Sequence, residues 1–357
     1  MSSTEQLPIL GRTKQEMFWV GLQPMLLQAG YRLRPRHSPK WVPSWTVSSV
    51  PTFDAEDSIF SLKYVMDAIR TSNGQKVVLK LLRNDPGNQE RENLVFFDDP
   101  LRRADPRNRT LPVLQTIPLP ESADVLIVLP YGREFDSPPF HCRCEFVEAI
   151  SQYLECLEFL HENGICHNDI TPRNMLMEQS KIVPRGSHFR APLTHTGTPG
   201  LFRWRERCSQ APNKYFFIDY DHSFIFTGPD ARNTATILGS YGNYPIPEAS
   251  SEVPFSPFAV DVFQLGLVIR NLIRNYPALE VFRPVSEAML LADPCERPTP
   301  AAALAHLQQI ASGIPWWKAK LPIRSTGGGT KRMLQRILLG GYITDSFSEK
   351  DSYKLYC

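Results

Sequence analysis

The chain has 357 residues, enough for one large unit or two modest ones, each with its own core. Lys and Arg number 39 against 37 Asp and Glu, so at a formal charge of +2 no strong field favours nucleic acid or a membrane surface. No stretch approaches the ~20 apolar residues that span a bilayer, and the start lacks a basic, apolar leader, so an intracellular place, cytoplasmic or nuclear, is expected. In chain order, residues 13–30 read as a helix. Thr13 and Glu16 form a capping box, Phe18, Leu22, Met25 and Leu26 recur at helical spacing, and Gly30 can close the end. Residues 31–45 carry prolines at 35, 39 and 43, which forbid a long helix and predict an extended arm packed on the following domain. From 58 to 83, two strand-like runs flank Thr71-Ser72-Asn73-Gly74, a strong hairpin signal. A short helix is expected near 88–97 and a buried strand at 125–130.

Helices dominate after that. Apolar stripes mark 146–161, 262–272 and about 301–311, with strand-like pieces at 174–177 and 215–218. The stretch 179–213 is rich in Pro, Gly, His and Arg and reads as a long insertion. Within it, Phe202, Arg203, Trp204, Arg205 and Arg207 could bind a partner or form a solvated loop docked on the large unit. The tail from 313 shows no core stripe. The seven cysteines are irregularly spaced and read as free thiols. Cys142 and Cys144 are too close for a zinc knuckle, and no second pair follows.

Three motifs occur in a telling order: Lys80 on a strand, His167-Asn168-Asp169 with Asn174 after the long helix, and Asp219-Tyr220-Asp221 after an apolar run. Phosphoryl transfer needs such parts. Charge spreads over the phosphate oxygens in the transition state, so positioning and charge stabilisation do most of the catalysis. An amine can hold the α and β phosphates, and a carboxylate can orient the attacking hydroxyl. Magnesium takes oxygen ligands such as an Asp carboxylate and an Asn carbonyl. Asp169 is placed to be the base, and Asn174 and Asp219 to share the metal.

This set resembles the eukaryotic protein kinases over roughly residues 58–312. His167–Asn174 is similar to the catalytic loop H-R-D-x-x-x-x-N, and Asp219-Tyr220-Asp221 to D-F-G. Pro247-Glu248 is similar to A-P-E, Asp261 to the buried Asp that opens the large central helix, and Arg297 to the late Arg. The leader GYRLRP with WVPSW also resembles that of a group of fungal kinase-like proteins. The resemblance implies an α+β, bilobal fold, with a small β-rich N-lobe at 46–130 and a larger, mainly helical C-lobe at 131–312. The arm at 1–45 and the tail at 313–357 flank them. It implies ATP and Mg2+ as cofactors, a protein substrate, and neither a nucleic acid nor a membrane partner. It places Lys80 and Glu92 with Asn174 and Asp219 around the nucleotide, Asn174 and Asp219 on the metal, and Asp169 and Arg173 in catalysis. Glu92 is the expected lysine partner because Val95 and Phe96 follow it at helical spacing, with Glu90 as its rival. Glu248 and Arg297 are expected to form a buried ion pair.

Four departures stand out. Residues 54–66 hold no glycine where G-x-G-x-x-G is expected, which removes the close backbone approach to phosphate. Asn168 replaces Arg, which argues against activation by loop phosphorylation, although Thr234, Thr236, Ser240 and Tyr241 lie in that region. Thr171 stands where a Lys is usual, leaving Arg173 to supply the charge. Asp221 replaces Gly and is either a further metal ligand or a turn residue. The activity expected is phosphoryl transfer to protein Ser or Thr. The alternatives are a pseudokinase acting as a binding module and a small-molecule kinase of the choline or aminoglycoside type, whose loops share the H-N-D pattern.

Overall fold

The structure, a computed structural model, describes residues 11–85, 89–228, 230–239 and 246–326. It is a mixed α+β arrangement with a five-stranded antiparallel sheet towards the N-terminus and most of its helices towards the C-terminus.

Helix α1 (Lys14–Gln28) begins at the expected capping box. The Glu16 amide donates to Thr13 Oγ1 (3.1 Å) and the Thr13 amide donates back to Glu16 Oε2 (2.8 Å). Strand β1 (Tyr31–Leu33), a short helix α2 (Ser44–Val47), β2 (Val65–Arg70) and β3 (Lys76–Leu82) follow. Then come α3 (Glu90–Asp98), α4 (Pro100–Arg103), β4 (Gln115–Pro118) and β5 (Val125–Pro130). The strand order is β1-β2-β3-β5-β4. The β2–β3 hairpin turns through Gly74 at φ 71°, a conformation glycine adopts without strain. Residues 59–63, read from sequence as part of a strand, lie outside β2.

The arm contributes more than packing. Its first three residues are the sheet's edge strand, with Tyr31 opposite Arg70 and Leu33 opposite Ala68. Trp19 and Leu26 of α1 cover one sheet face, against Met66, Ala68, Val77, Leu79 and Val128. Strand alternation then sets Lys80 on the face opposite Val77 and Leu79. The rest of the arm is fastened by buried ion pairs. Arg36 meets both oxygens of Glu16 (2.6 and 2.9 Å), and Arg34 meets Asp67 (3.1 Å) and Glu56 (3.0 Å).

His37 lies in this network, fully buried, with Nε2 2.9 Å from Ser61 Oγ. Burial, and then the Arg34 charge, push its pKa down to about 4. A depressed folded value gives stability that is complete above the unfolded pKa near 6.5 and is lost as pH falls towards 4. Going from pH 7 to pH 5 therefore removes about 2 kcal/mol through this group. Urea unfolding of wild type and His37→Gln at both pH values checks this: the variant's loss should be smaller by that amount. Equal losses would free His37 of the role.

The C-terminal part starts with β6 (Gly132–Glu134) and α5 (Arg143–Glu162), followed by β7 (Ile165–Cys166) and β8 (Met175–Glu178). Next are α6 (Arg207–Gln210), β9 (Tyr215–Phe217), β10 (Phe224–Ile225), α7 (Ala231–Thr234), β11 (Ile237–Gly239) and β12 (Ser250–Phe255). It closes with α8 (Pro257–Asn275), α9 (Arg283–Met289), α10 (Pro300–Ser312) and α11 (Trp316–Ala319). The main core surrounds α5 and α8 and continues into Leu94 and Phe97 of α3 and Ile127 of β5. The tail residues just past α11 fold back, with the Ile323 amide donating to the His141 carbonyl (2.7 Å). Gly327 to Gly329 lie outside the described residues. No helix among the described residues is long and apolar enough to cross a membrane.

The 179–213 insertion is anchored by its own apolar residues. Ile182, Val183 and Phe202 are buried, and so is Arg207, while Arg203, Trp204 and Arg205 are exposed. Part of it reaches the N-terminal sheet region. His188 meets Glu56 (3.1 Å), Lys76 Nζ donates to the Ser187 carbonyl (2.9 Å), and Arg190 Nε donates to that of Phe60 (3.2 Å).

Candidate active site

A cleft of ≈ 230 Å³ lies between the sheet and the helical part. Val65, Val78, Ile127 and Leu129 form apolar walls. Lys80, Asp169, Arg173, Asn174, Asp219 and Asp221 line the cleft as well, so five of the six residues singled out in the sequence share one space with Asp221.

The sixth, Glu92, does not. Lys80 Nζ lies 2.6 Å from Glu90 Oε1, and Glu92 is exposed. The buried positions of α3 are Glu90, Asn93, Leu94 and Phe97, an i, i+3, i+4, i+7 face that excludes position 92. Val95, the apparent core marker for Glu92, is 70% exposed. The rival acid is the lysine's partner.

Lys80 Nζ also lies 2.6 Å from Asp219 Oδ1. Burial lowers the lysine's pKa, but Asp219, Glu90 and Asp221 more than offset it, so the amine is held charged. Burial raises Asp219, yet the Lys80 charge and hydrogen bond bring it below the usual carboxylate range. Glu90 goes the other way: burial outweighs Lys80 and pushes it up to about 7, with Asp219 and Asp221 adding to the rise. Carboxylate oxygens of Glu90, Asp219 and Asp221 lie within 4.8 Å of one another. An all-oxygen set of this kind suits a hard divalent cation such as Mg2+.

The loop 167–174 is set by α8. Asp261, fully buried, accepts from the His167 amide (2.8 Å), the Asn168 amide (2.7 Å) and His161 Nε2 (2.9 Å). Gln264, one turn on, accepts from the Ile170 amide (2.8 Å) and donates to the Asn168 carbonyl (2.9 Å). Sequence reading missed Gln264, though its i+3 spacing from Asp261 placed it on the same helix face. These bonds hold Asn168 at φ 60°, a left-handed conformation that asparagine tolerates better than most residues. Its side chain turns inward, donating to the His222 carbonyl (3.2 Å). Asn174 Nδ2 donates to the Asp169 carbonyl and to Asp169 Oδ2, both at 2.9 Å. Asp169 is thereby fixed at the cleft floor, and Arg173 lines the cleft from an exposed position.

Strand pairing brings the last segment in. Met175 lies opposite Phe217, and the Ile218 amide donates to the Asn174 carbonyl (3.0 Å). Asp219 follows at φ 67°, a strained setting for an aspartate. His167 Nε2 donates to the Ile218 carbonyl (3.0 Å), tying the two loops together. Tyr220 packs at tilted angles between Phe97 (4.7 Å) and His167 (5.0 Å), linking α3 to the loop.

Farther out, Arg297 Nη2 donates to Glu248 Oε2 (2.9 Å) and its Nη1 to Oε1, a buried two-point pair. Ser240 and Tyr241 lie outside the described residues. Thr234 Oγ1 is used locally, donating to the Asp230 carbonyl (2.9 Å). The insertion adds Phe189 and Pro192 to the cleft lining, which its composition did not announce. No protein-family model matches the chain.

Proposed function

We propose that the chain is a protein kinase-like phosphotransferase with a bilobal kinase-like fold. It moves the γ-phosphate of ATP, with Mg2+, onto Ser or Thr hydroxyls of a protein substrate. One observation carries this reading. Lys80, on the central strand β3 of the sheet, sits between Glu90 and Asp219, while Asn174 grips Asp169 in the same cleft.

Each side chain then has a task. Lys80 presents a charged amine towards phosphate, and Glu90 keeps it in place. Asp169 orients the attacking hydroxyl and accepts its proton. Asp219 and Asn174 would hold Mg2+, with Asp221 adjacent. Bound ATP supplies the transferable phosphoryl group. Arg173 at the cleft edge offers positive charge where Thr171 cannot. The apolar walls exclude water and can take a flat ring. The buried Glu248–Arg297 pair favours a protein substrate over the small-molecule alternative, because the resemblance ties that pair to the protein-kinase segment.

The pseudokinase reading has its own support. The β1–β2 connection, Arg34–Tyr64, holds no glycine and is tied down by the ion pairs of Arg34 with Glu56 and Asp67. ADP formation by the full chain with ATP, Mg2+ and a mixed protein substrate decides between them. Asp169→Ala should lower turnover by about 10²–10⁴-fold, the usual worth of a positioned base. Equal background from both proteins would remove the enzyme reading. Unchanged turnover in Arg173→Ala would remove that arginine alone.

A further inference from the structure

Away from the cleft, four metal-ligating side chains meet where the insertion returns to α5. They are His141, Cys142, Glu145 and Cys208, and their ligand atoms all lie within 4.8 Å of one another. We propose that they bind a zinc-class divalent cation, which staples the end of the 179–213 insertion to the first turn of α5.

The spacing fits such an ion. Cys208 Sγ lies 3.6 Å from His141 Nδ1. A tetrahedral zinc with sulfur at about 2.3 Å and nitrogen at about 2.0 Å separates those two atoms by about 3.5 Å. The Cys142 and Cys208 sulfurs lie within 4.8 Å of each other, close enough to share one ion. His141 Nε2 lies 3.3 Å from Glu206 Oε1, so a carboxylate stands behind the imidazole and leaves Nδ1 for the metal. Glu145 is fixed in advance, its oxygens accepting from the His141 amide (2.7 Å) and the Cys208 amide (2.8 Å). Each oxygen keeps a second lone pair for coordination.

The buried charge nearby is compatible with the ion, being balanced with the thiols protonated and again with the ion bound. Arg207 is 2% exposed, and its Nη1 has no hydrogen-bond partner. That nitrogen lies 3.6 Å from Glu145, the one carboxylate within ion-pair reach of this guanidinium among the described residues. Two thiolates and a carboxylate sum to −3. A divalent ion and the guanidinium bring the buried group to zero, so the pocket is neutral when loaded. Loading expels one proton from each thiol, two per ion. The sequence hid this site: Cys142 and Cys208 are far apart, and only α5 and the insertion's return bring them together.

The test is elemental analysis of the full chain purified with zinc in the medium, then exchange to Co2+. One zinc per chain is expected. The cobalt form should show intense tetrahedral d–d bands and a thiolate charge-transfer band. Cys142→Ser and Cys208→Ser should lose the ion, while Cys144→Ser and Cys295→Ser keep it. Metal-free wild type, undiminished zinc in Cys208→Ser, or a Cys142–Cys208 disulfide in protein handled without reductant would each overturn the proposal. Should the serine variants fail to fold, the wild-type cobalt spectrum still decides, since weak octahedral bands alone would count against it.

Discussion

Replacing Lys80 with methionine is expected to abolish phosphoryl transfer and to cost about 3–5 kcal/mol of stability, the range for removing one partner of a buried ion pair. Methionine keeps the apolar stem and removes the ammonium, and with it the charge and both hydrogen bonds. Glu90 and Asp219, each 2.6 Å from the lost amine, then face each other and Asp221 with no cation between them. The cost depends on pH. Glu90 is already raised by burial in the wild type, so it favours the folded state while protonated and loses that contribution as pH rises through about 7. Without Lys80 the same group rises further. The variant should therefore lose more stability at pH 8 than at pH 6, measured by urea unfolding. Adding Glu90→Gln removes one of the opposed charges and should return part of the loss, with a coupling of about 0.5–3 kcal/mol. Strict additivity of the two substitutions would show that the amine and this carboxylate do not act as a pair.

The residues that were legible in sequence are those that local chemistry fixes. Lys80 follows from strand alternation, since Val77 and Leu79 claim one face and leave position 80 on the other. Asp169 and Asn174 sit in one short loop whose bond closes within five residues. Glu90 against Glu92 was harder. In a nine-residue helix, two acids two positions apart point to nearly opposite sides, and only packing chooses between them. Val95 misled because an exposed valine looks the same in sequence as a buried one. Strand β1 was hidden for a different reason: three residues carry too little alternation, and the partner strand lies beyond the whole Arg34–Tyr64 connection. The insertion reads as loop by composition, yet Ile182, Val183 and Phe202 are buried in the main core.

Asp261→Ala should be comparably damaging to the fold, although Asp261 stands behind the cleft and does not line it. The substitution strands three donors at once: the amides of His167 and Asn168 and the imidazole N–H of His161. All three residues are at most 1% exposed, so water cannot replace the lost acceptor. At about 1–3 kcal/mol for each buried donor left unsatisfied, the loss should reach at least about 3 kcal/mol, a large share of ordinary domain stability. Asp261→Asn keeps one acceptor oxygen and should fall between. The local consequence is more specific. Asn168 holds its left-handed backbone only while Asp261 and Gln264 grip both sides of its peptide units, so the loop should relax once one grip is gone. Hydrogen exchange reads this directly: the His167 and Asn168 amides should lose protection before the body of α8 does. If those amides stay protected, or if Asp261→Ala unfolds within 1 kcal/mol of wild type, then α8 does not set the shape of the loop. The position of Asp169 would then have to come from Asn174 and the β8–β9 pairing alone.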